Sequence, residues 1–371
     1  MWSIKMNSDI EKEKVLFIFG AGASYDAGAP TQEKIFEYYF KKSDSTRADI
    51  KLEEFFQKIF GVQRFLNLGK YSTFPTFEEV LGILEFSVQN NASLGQDFTI
   101  EKIRRMKELV INLMAKTIKE SLESPKNDNH KILIEKLFEN NEFEYSFINL
   151  NYDILLDKAL IGLYEKYYLD YGIEFWRNYL DETWSKPRDS KVYLLKPHGS
   201  LNWFYCPSCN SIYLNVKGKP AFKKTEIEPT IPKCKYCNSE QTLFIIPPTF
   251  FKTLTNLHIA TILQKIQKEV VNSDCLIFIG YSFPDADLHL KYIIKKAFQF
   301  LQKSRKVIVI EKELKGGPDL KLLDTYLRYE RIFKEFYFIP IGFEKFVESP
   351  FEYLKRPERY TVKPEKLDIN T

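Results

Sequence analysis

Short runs of mostly apolar residues recur along this chain and constrain its fold more than any other feature. Runs without strict alternation of apolar and polar residues are typical of parallel strands covered on both faces. Helical patterns lie between them, for example at 152–168 and 285–303. Strands that alternate with helices predict an α/β fold with a Rossmann-like, doubly wound parallel sheet. The predicted strands are VLFIFG (15–20), YSFINLN (145–151), VYLLKP (192–197), CLIFIG (275–280), KVIVIE (306–311) and FYFIP (336–340).

Two long stretches interrupt this alternation. The first contains helical patterns at 77–88 and 100–122, which predict a large, mostly helical insertion between the first two strands. The second contains four of the five cysteines. The end of the chain is polar and contains proline, which favours a tail or an interaction arm. The predicted units are a Rossmann-like domain (13–30 and 145–348), a helical insertion (31–144), a small cysteine-containing insertion (204–240) and a C-terminal tail (349–371).

Composition narrows the function classes. A net charge of +4 and a pI of about 8.5 without a dense Lys/Arg stripe do not indicate direct nucleic-acid binding. The 31 Phe and 22 Tyr residues are explained more simply by an aromatic core than by a stacking surface. No run of about twenty apolar residues predicts a membrane span, and the N-terminus lacks a secretory signal pattern. We expect a cytoplasmic protein.

Glycines follow the first predicted strand in the sequence GAGASYDAGAP at 20–30. Glycines at a strand-to-helix turn let the backbone approach a pyrophosphate. The spacing departs from the dinucleotide pattern G-x-G-x-x-G because residue 25 is Tyr. A tight turn without a ligand is the alternative. The candidate cofactor-binding residues of this turn are Gly20, Ala21, Gly22, Ser24 and Asp26.

Polar or small residues also follow the other predicted strands. Ligands of open α/β sheets bind outside the carboxyl ends of the strands, so these residues are candidates for one site. Each residue alone is explained as readily by a helix cap or a turn, and only their joint occurrence favours a site. The candidates are Asn151 and Asp153, His198 with Gly199 and Ser200, Gly280 and Ser282, and Glu311, whose carboxylate would accept ribose hydroxyls.

The cysteines form two C-x-x-C pairs, Cys206 with Cys209 and Cys234 with Cys237. Four thiolates at this spacing predict a closed, tetrahedral zinc site with a structural role. A redox C-x-x-C is the alternative, but it would not require the second pair. The fifth, Cys275, is interpreted as a small buried hydrophobic residue.

His198 lies eight residues before the first cysteine pair. Zinc does not need it once four cysteines are present. Imidazole titrates near neutral pH, which suits a general base. We therefore assign His198 to the carboxyl edge of the sheet rather than to the zinc site.

Taken in order, these motifs resemble those of the sirtuins, and more closely those of the bacterial sirtuin-like NADases of antiphage defence. GAGASYDAGAP resembles the sirtuin glycine-alanine-glycine opening. Asn151-Tyr152-Asp153 resembles the asparagine–x–aspartate motif, His198-Gly199-Ser200 the histidine-glycine-serine motif before the zinc ribbon, and Gly280-Tyr281-Ser282 the later glycine-x-serine loop. The resemblance covers about 15–30 and 145–311, and excludes the helical insertion and the tail.

The resemblance implies an enzyme that consumes NAD. Asn151, Asp153 and His198 would be catalytic, and the Gly20–Ser24 turn would bind the phosphates. Three departures weigh against peptide deacylation: Thr31-Gln32-Glu33 replaces aspartate-phenylalanine-arginine, LFIIPPTFFK at 243–252 replaces the stretch that helps form the acyl-lysine cleft, and Leu150 replaces glutamine. The expected activity is hydrolysis of NAD⁺ to nicotinamide and ADP-ribose by a regulated antiphage effector.

Two other functions stay open. One is an NAD-dependent protein-lysine deacylase with the same pocket, and the other is a non-catalytic nucleotide-binding or assembly subunit. The helical insertion and the tail are expected to make contacts in a homo-oligomer. By the same resemblance, a HerA-type ATPase is an expected partner.

Overall fold

The computed structural model describes residues 12–42, 47–62, 64–65, 70–71, 74–140, 142–162, 168–176, 191–215, 221–222, 229–246, 256–285, 287–299 and 305–367. Parts of four sequence patterns fall outside these ranges, at 163–167, 247–252, 300–303 and 368–371.

Strands and helices alternate through the described part of the chain. The strands are β1 (Glu13–Phe19), β2 (Arg64–Phe65), β3 (Lys70–Tyr71), β4 (Phe143–Asn149), β5 (Tyr168–Asp170), β6 (Lys191–Leu195), β7 (Gly199–Tyr205), β8 (Ile212–Leu214), β9 (Ala221–Phe222), β10 (Pro229–Thr230), β11 (Thr242–Ile245), β12 (Cys275–Ile279), β13 (Lys306–Glu311) and β14 (Tyr337–Pro340). The helices are α1 (Ala21–Tyr25), α2 (Ile35–Lys42), α3 (Arg47–Phe60), α4 (Phe77–Gln89), α5 (Ile100–Ser121), α6 (Asn129–Glu139), α7 (Leu155–Ile161), α8 (Leu257–Asn272), α9 (Leu288–Gln299), α10 (Leu320–Glu330), α11 (Phe343–Glu348) and α12 (Pro350–Lys355). Three short 3₁₀ turns span Gln32–Lys34, Pro357–Arg359 and Pro364–Lys366.

Seven strands form the central sheet in the order β14-β13-β12-β1-β4-β6-β5. Every neighbouring pair is parallel. The chain runs outward from β1 on one side, then returns to β12 beside β1 and runs outward on the other side. The strand order therefore reverses between β1 and β12, and ligands of such sheets bind at the carboxyl ends of the strands next to that point. The predicted fold class is confirmed.

The central strands are covered on both faces, as their continuous apolar runs predict. Residues Val15–Phe19 of β1 and all five residues of β12 are buried. Helices α6, α7, α8, α9 and α10 contribute buried side chains to the same core. No helix in the described part of the chain is both long and apolar enough to span a bilayer.

Helices α2 to α5 form a second core with the residues that follow β1. Thr76 is the N-cap of helix α4, and its hydroxyl accepts the Glu79 N–H at 3.1 Å. Within the predicted insertion, α6 differs because its Leu133, Ile134 and Leu137 pack in the core of the sheet. Two parallel neighbours such as β1 and β4 require a crossover connection, and α6 supplies it. The separate helical lobe is therefore shorter than 31–144.

The cysteine-containing insertion is built on an antiparallel three-stranded sheet in the order β11-β7-β8. Strand β7 begins at Gly199, the residue directly after His198, and β11 ends at Ile245. This small sheet is wider than the predicted 204–240 range, and its first strand leaves the carboxyl edge of the central sheet.

The segment predicted as a tail packs against the outer strand β14. Leu354 and Leu367 are buried in the core of the sheet. The Val362 N–H donates to the Phe338 carbonyl at 2.7 Å. The sequence favoured a tail or an interaction arm here, and residues 349–367 pack against the rest of the chain because single apolar residues spaced among polar ones are enough to bury this segment. It covers what would otherwise be an open sheet edge.

Candidate active site

The glycine turn and the loop after β12 are in direct backbone contact. Gly20 N–H donates to the Ile279 carbonyl at 3.0 Å, and Gly22 N–H donates to the Gly280 carbonyl at 2.9 Å. A Cβ on Gly20 would lie 2.5 Å from the Gly280 oxygen, and one on Gly22 would lie 2.7 Å from the Gly280 Cα. This contact by itself accounts for Gly20, Gly22 and Gly280, so the tight-turn alternative explains them and phosphate binding stays a prediction.

The loop after β4 is tied to the glycine turn by side chains. Asn151 Nδ2 donates to the Gly20 carbonyl at 2.8 Å and to Ser24 Oγ at 3.0 Å. Ser24 Oγ in turn donates to Asp153 Oδ2 at 2.7 Å, and Asp153 Oδ1 accepts the Leu155 N–H at the start of α7. Ser24 and Asp153 are buried. The predicted residues Ser24, Asn151 and Asp153 therefore form one connected group.

A buried ion pair lies beneath this group. Lys196, at the end of β6, donates from Nζ to Asp157 Oδ2 at 2.9 Å and to the Asp153 carbonyl at 2.7 Å. Asp157 Oδ1 accepts the Tyr171 hydroxyl at 2.9 Å. Burial, together with the charge of Asp157, raises the pKa of Tyr171 well above its usual value, so the hydroxyl stays protonated and donates. The pair fixes the main chain that carries the Asn151–Asp153 turn to the end of β6.

His198 follows this lysine in a sharp turn. Gly199 has φ of +76°, and a Cβ there would lie 2.0 Å from the Phe244 oxygen, so only glycine fits. After the turn, Leu201 N–H donates to the Tyr152 carbonyl at 2.9 Å. The Tyr152 and His198 rings lie edge to face with centroids 6.3 Å apart. The histidine motif and the asparagine motif are thus direct neighbours.

On its other side His198 faces the loop after β12. Its Nε2 lies 3.4 Å from Asp287 Oδ1, with the two side chains 7% and 6% exposed. Asp287 Oδ2 accepts the Tyr281 hydroxyl at 2.9 Å, and the Tyr281 carbonyl accepts the Tyr329 hydroxyl at 2.6 Å. Burial, with the nearby charge of Asp287, raises the pKa of Tyr281 well above its usual value. The histidine therefore lies against a carboxylate that is itself held in place.

Glu311 ends β13, two strands away from β1. Its Oε1 is buried and has no hydrogen-bond partner among the described residues. Burial raises the pKa of this carboxyl group to about 7. A buried acceptor with unused capacity at a strand end is suited to ligand hydroxyls.

His130, in the first turn of α6, lies near the same group although no sequence pattern singled it out. It packs against Phe19 and Phe343, with ring centroids 5.8 and 5.2 Å away. Burial lowers the pKa of His130 to about 4, and the charge of Asp153 opposes this only in part. The ring is therefore neutral at physiological pH and packs as part of the core.

The four cysteines meet at one point, as their spacing predicts. All four Sγ atoms lie within 4.8 Å of one another, and the Cys206–Cys237 and Cys209–Cys234 sulfur pairs are 3.4 and 3.6 Å apart. Tetrahedral zinc with Zn–S bonds of about 2.3 Å requires sulfur separations of about 3.8 Å. The cluster could hold a metal ion, and its donor set fits zinc.

The structure thus brings most of the predicted residues together at the carboxyl edge. Ala21, Asp26 and Ser282 are exposed. Several residues of the network were not predicted, among them Asp157, Lys196 and Asp287. No local pattern marks them, because their partners lie far away in the sequence. Glu78 in α4 adds a negative charge that acts on Tyr152, and only the tertiary fold brings it there.

The SIR2-like domain family model matches residues 145–332, just over half of the 371 residues. The protein belongs to the SIR2-like domain family. The match contains Asn151, Asp153, His198, the cysteines and Glu311. It begins after the glycine turn, which the sheet places beside the matched region.

Several solved Sir2 structures are similar to this chain at low sequence identity. A structure described as the basis for the mechanism and regulation of Sir2 enzymes is 17% identical, covers 94% of both chains and has a TM-score of 0.42. A mutant Sir2 homologue in complex with ADP-ribose is 16% identical with a TM-score of 0.43, covering 95% of this chain and 96% of the other. Sir2 bound to an acetylated peptide is 16% identical with a TM-score of 0.44, covering 93% and 94%. Similarity at this level concerns the fold only. No curated protein matches the chain.

Proposed function

We propose that this SIR2-like protein hydrolyses NAD⁺ at the nicotinamide–ribose bond. The observation that carries the proposal is the position of His198, which is buried at the carboxyl edge of the sheet between the Asn151–Asp153 turn and Asp287. An imidazole next to a carboxylate is suited to accept a proton at neutral pH.

The reaction uses NAD⁺ and water. The bond from C1′ to the nicotinamide nitrogen breaks, its electron pair leaves with neutral nicotinamide, and positive charge develops on the ribose as in glycoside cleavage generally. Water bonds to C1′, and its proton passes to His198. Asn151 positions the ribose and the water, and Asp153 holds the nicotinamide end. Gly20, Ala21, Gly22 and Ser24 would hold the phosphates, with Asp26, Gly280 and Ser282 along the cofactor and Glu311 on the adenosine ribose.

Water is favoured over an acyl-lysine acceptor by the segment at the end of β11. Ile246 N–H donates to the His198 carbonyl at 2.9 Å, and the Ile246 carbonyl accepts the Tyr152 hydroxyl at 3.1 Å. Ile245 is buried in the core of the helical lobe. Ile245 and Ile246 are the third and fourth residues of the stretch at 243–252 that differs from the sirtuin acyl-lysine cleft. Their backbone groups are already bonded within the chain, which supports hydrolysis.

The product of turnover tests the proposal. We expect the purified protein to convert NAD⁺ to equal amounts of nicotinamide and ADP-ribose, measured by chromatography, without any peptide. O-acyl-ADP-ribose formed only in the presence of an acyl-lysine peptide would instead identify a deacylase. Binding of NAD⁺ without turnover under all conditions would identify a nucleotide-binding subunit.

The cysteine cluster belongs to the proposal as a structural zinc site. Four thiolates leave no open coordination position, so the metal would take no part in chemistry. Its effect on the site is indirect, because β7 connects the cluster to His198.

We expect Cys206→Ser to abolish zinc binding and to destabilise the β7–β8–β11 sheet, because three ligands no longer close the site. Metal content by mass spectrometry and a thermal melt measure both effects. Cys275→Ala is the matched control, since Cys275 lies in β12 and should leave the metal content unchanged. A Cys206→Ser protein with full metal content would refute the structural-zinc assignment.

The biological setting is proposed from the family resemblance. The enzyme would be a regulated effector of antiphage defence that works as a homo-oligomer with a HerA-type ATPase. The test is to express both proteins in infected cells and to measure cellular NAD⁺. Depletion that is larger in infected than in uninfected cells when both proteins are present supports this role, and equal depletion in uninfected cells contradicts regulation.

A further inference from the structure

Asp287 is the one charged side chain of the β12–α9 loop that contacts His198, and no sequence motif assigned it a role. It lies directly before α9, seven residues beyond Gly280. Its neighbour in the same loop, Asp285, is exposed and pairs with Lys291 at 2.9 Å. Two aspartates of one loop thus have opposite environments.

We propose that Asp287 is the positioning residue of His198, holding the imidazole with its proton on Nε2 so that Nδ1 accepts the proton during turnover. The inference rests on the proposed function, because it assigns the general base of that reaction a partner. The Nε2–Oδ1 distance of 3.4 Å is long for a hydrogen bond, and catalytic hydrogen bonds often tighten only when substrate binds.

Asp287 is held on its far side by a relay of tyrosines. The Tyr281 hydroxyl donates to Oδ2, and the Tyr329 hydroxyl donates to the Tyr281 carbonyl. Tyr281 is buried and stays protonated, so it can only donate to the carboxylate in this arrangement. The donor fixes one carboxylate oxygen, which aims the other at His198.

The partnership has a chemical consequence. A carboxylate beside Nε2 accepts a hydrogen bond from the neutral ring and stabilises the imidazolium that forms when Nδ1 takes the proton. The negative charge of Glu78, in the helical lobe, helps to raise the pKa of Tyr152 and of Tyr281.

Asp287→Asn changes the charge and keeps the shape. The Asn oxygen would accept the Tyr281 hydroxyl, which turns the amide NH₂ toward His198 and requires Nε2 to become an acceptor. The ring would then carry its proton on Nδ1, the wrong nitrogen. We expect kcat for NAD⁺ hydrolysis to fall on the order of 10²-fold with KM within about threefold of wild type. Asp285→Asn is the matched control and should keep wild-type kcat.

Nitrogen-15 NMR of the imidazoles supplies a readout independent of turnover. The chain has four histidines, and His198→Ala identifies the signal of His198. At mildly alkaline pH we expect the proton on Nε2 in wild type and on Nδ1 in Asp287→Asn. An unchanged tautomer, or a kcat within about threefold of wild type, would overturn the inference. If wild type does not hydrolyse NAD⁺, the proposed function fails and the tautomer alone decides the role of Asp287.

Tyr281→Phe keeps the inference testable if Asp287→Asn does not fold. This variant removes one hydroxyl from a buried ring and leaves the carboxylate in place. Loss of an orienting partner should lower kcat about tenfold, with KM little changed. Wild-type kcat in a folded Tyr281→Phe protein would count against the relay, and hence against Asp287 as the positioning residue.

Discussion

The polar side chains on the two sides of the carboxyl edge differ in whether they are hydrogen-bonded within the chain. On the β4–β6 side, Asn151, Ser24, Asp153 and Lys196 bond to one another or to the backbone, so their polar groups are satisfied within the chain. On the β13 side, Glu311 keeps a buried oxygen without a partner among the described residues. The first arrangement preorganises reacting groups, and the second leaves capacity for a ligand. From this difference we expect substitutions on the first side to act mainly on turnover, and substitution of Glu311 to act mainly on the affinity for NAD⁺.

The largest expected effect is on the preorganised side. We expect His198→Ala and Asn151→Ala each to lower kcat for NAD⁺ hydrolysis by about 10³-fold, because one removes the general base and the other removes the link from the β4 loop to the glycine turn. Turnover is measured by release of nicotinamide. His258→Ala is a matched histidine control, since His258 lies at the start of α8 and bonds to the Asn210 carbonyl. Full activity in either His198→Ala or Asn151→Ala would contradict the expectation that the β4–β6 side determines turnover.

The buried ion pair of Lys196 and Asp157 allows a test of whether the hydrogen bonds on the β4–β6 side stabilise the fold. Lys196→Met leaves Asp157 charged and buried, and we expect the free energy of unfolding to fall by about 3–5 kcal/mol. Chemical denaturation measures it. The double variant Lys196→Met with Asp157→Asn should recover much of the loss, because the amide is neutral and still accepts from Tyr171. A single variant as stable as wild type would show that the network does not support the fold.

The smallest expected effects are on the β13 side. Glu311→Gln should raise KM for NAD⁺ by about tenfold while kcat changes little, because a carboxylate is a stronger acceptor for ribose hydroxyls than an amide. Steady-state kinetics separate the two constants. Glu313→Gln is the matched control, because Glu313 is paired with Lys345 at the surface. An unchanged KM would show that Glu311 does not bind the ribose hydroxyls of NAD⁺.

The stability of the same variant should depend on pH. The folded pKa of Glu311, about 7, lies above its ordinary value of 4.5. The folded state therefore holds this proton more tightly, and the stabilisation it provides is complete below about pH 4.5 and lost as the pH rises through 7. Glu311→Gln should thus be more stable than wild type at alkaline pH, by about 1–3 kcal/mol, and the difference should shrink at acid pH. A constant difference across that range would contradict the shifted titration.

The sheet was predictable because its strands are buried on both faces. Such strands leave continuous apolar runs in the sequence, and the runs in β1, β12 and β13 match the observed strands closely. The cysteine cluster was predictable because two C-x-x-C pairs have the spacing that is typical of a four-thiolate site, and the four sulfur atoms do lie together. In both cases a short local sequence pattern is enough to predict the structure.

The rest depends on contacts that no local pattern records. The segment from 349 to 367 reads as polar, and only its fit against β14 shows that Leu354 and Leu367 are buried. Asp287 and Lys196 were missed because their partners lie far away in the sequence, at His198 and Asp157. For Gly20 and Gly22 the sequence suggested a ligand, whereas the structure supplies a backbone neighbour, Gly280.

Tyr152 links the Asn151–Asp153 turn to the helical lobe. Its main chain lies between Asn151 and Asp153, while its side chain is buried with α2 to α5 in the helical lobe. Packed interiors shift as units rather than deform freely, so a displacement of the lobe would move this turn directly. A ligand or partner that displaced the lobe would therefore shift Asn151 and Asp153 before it changed the central sheet.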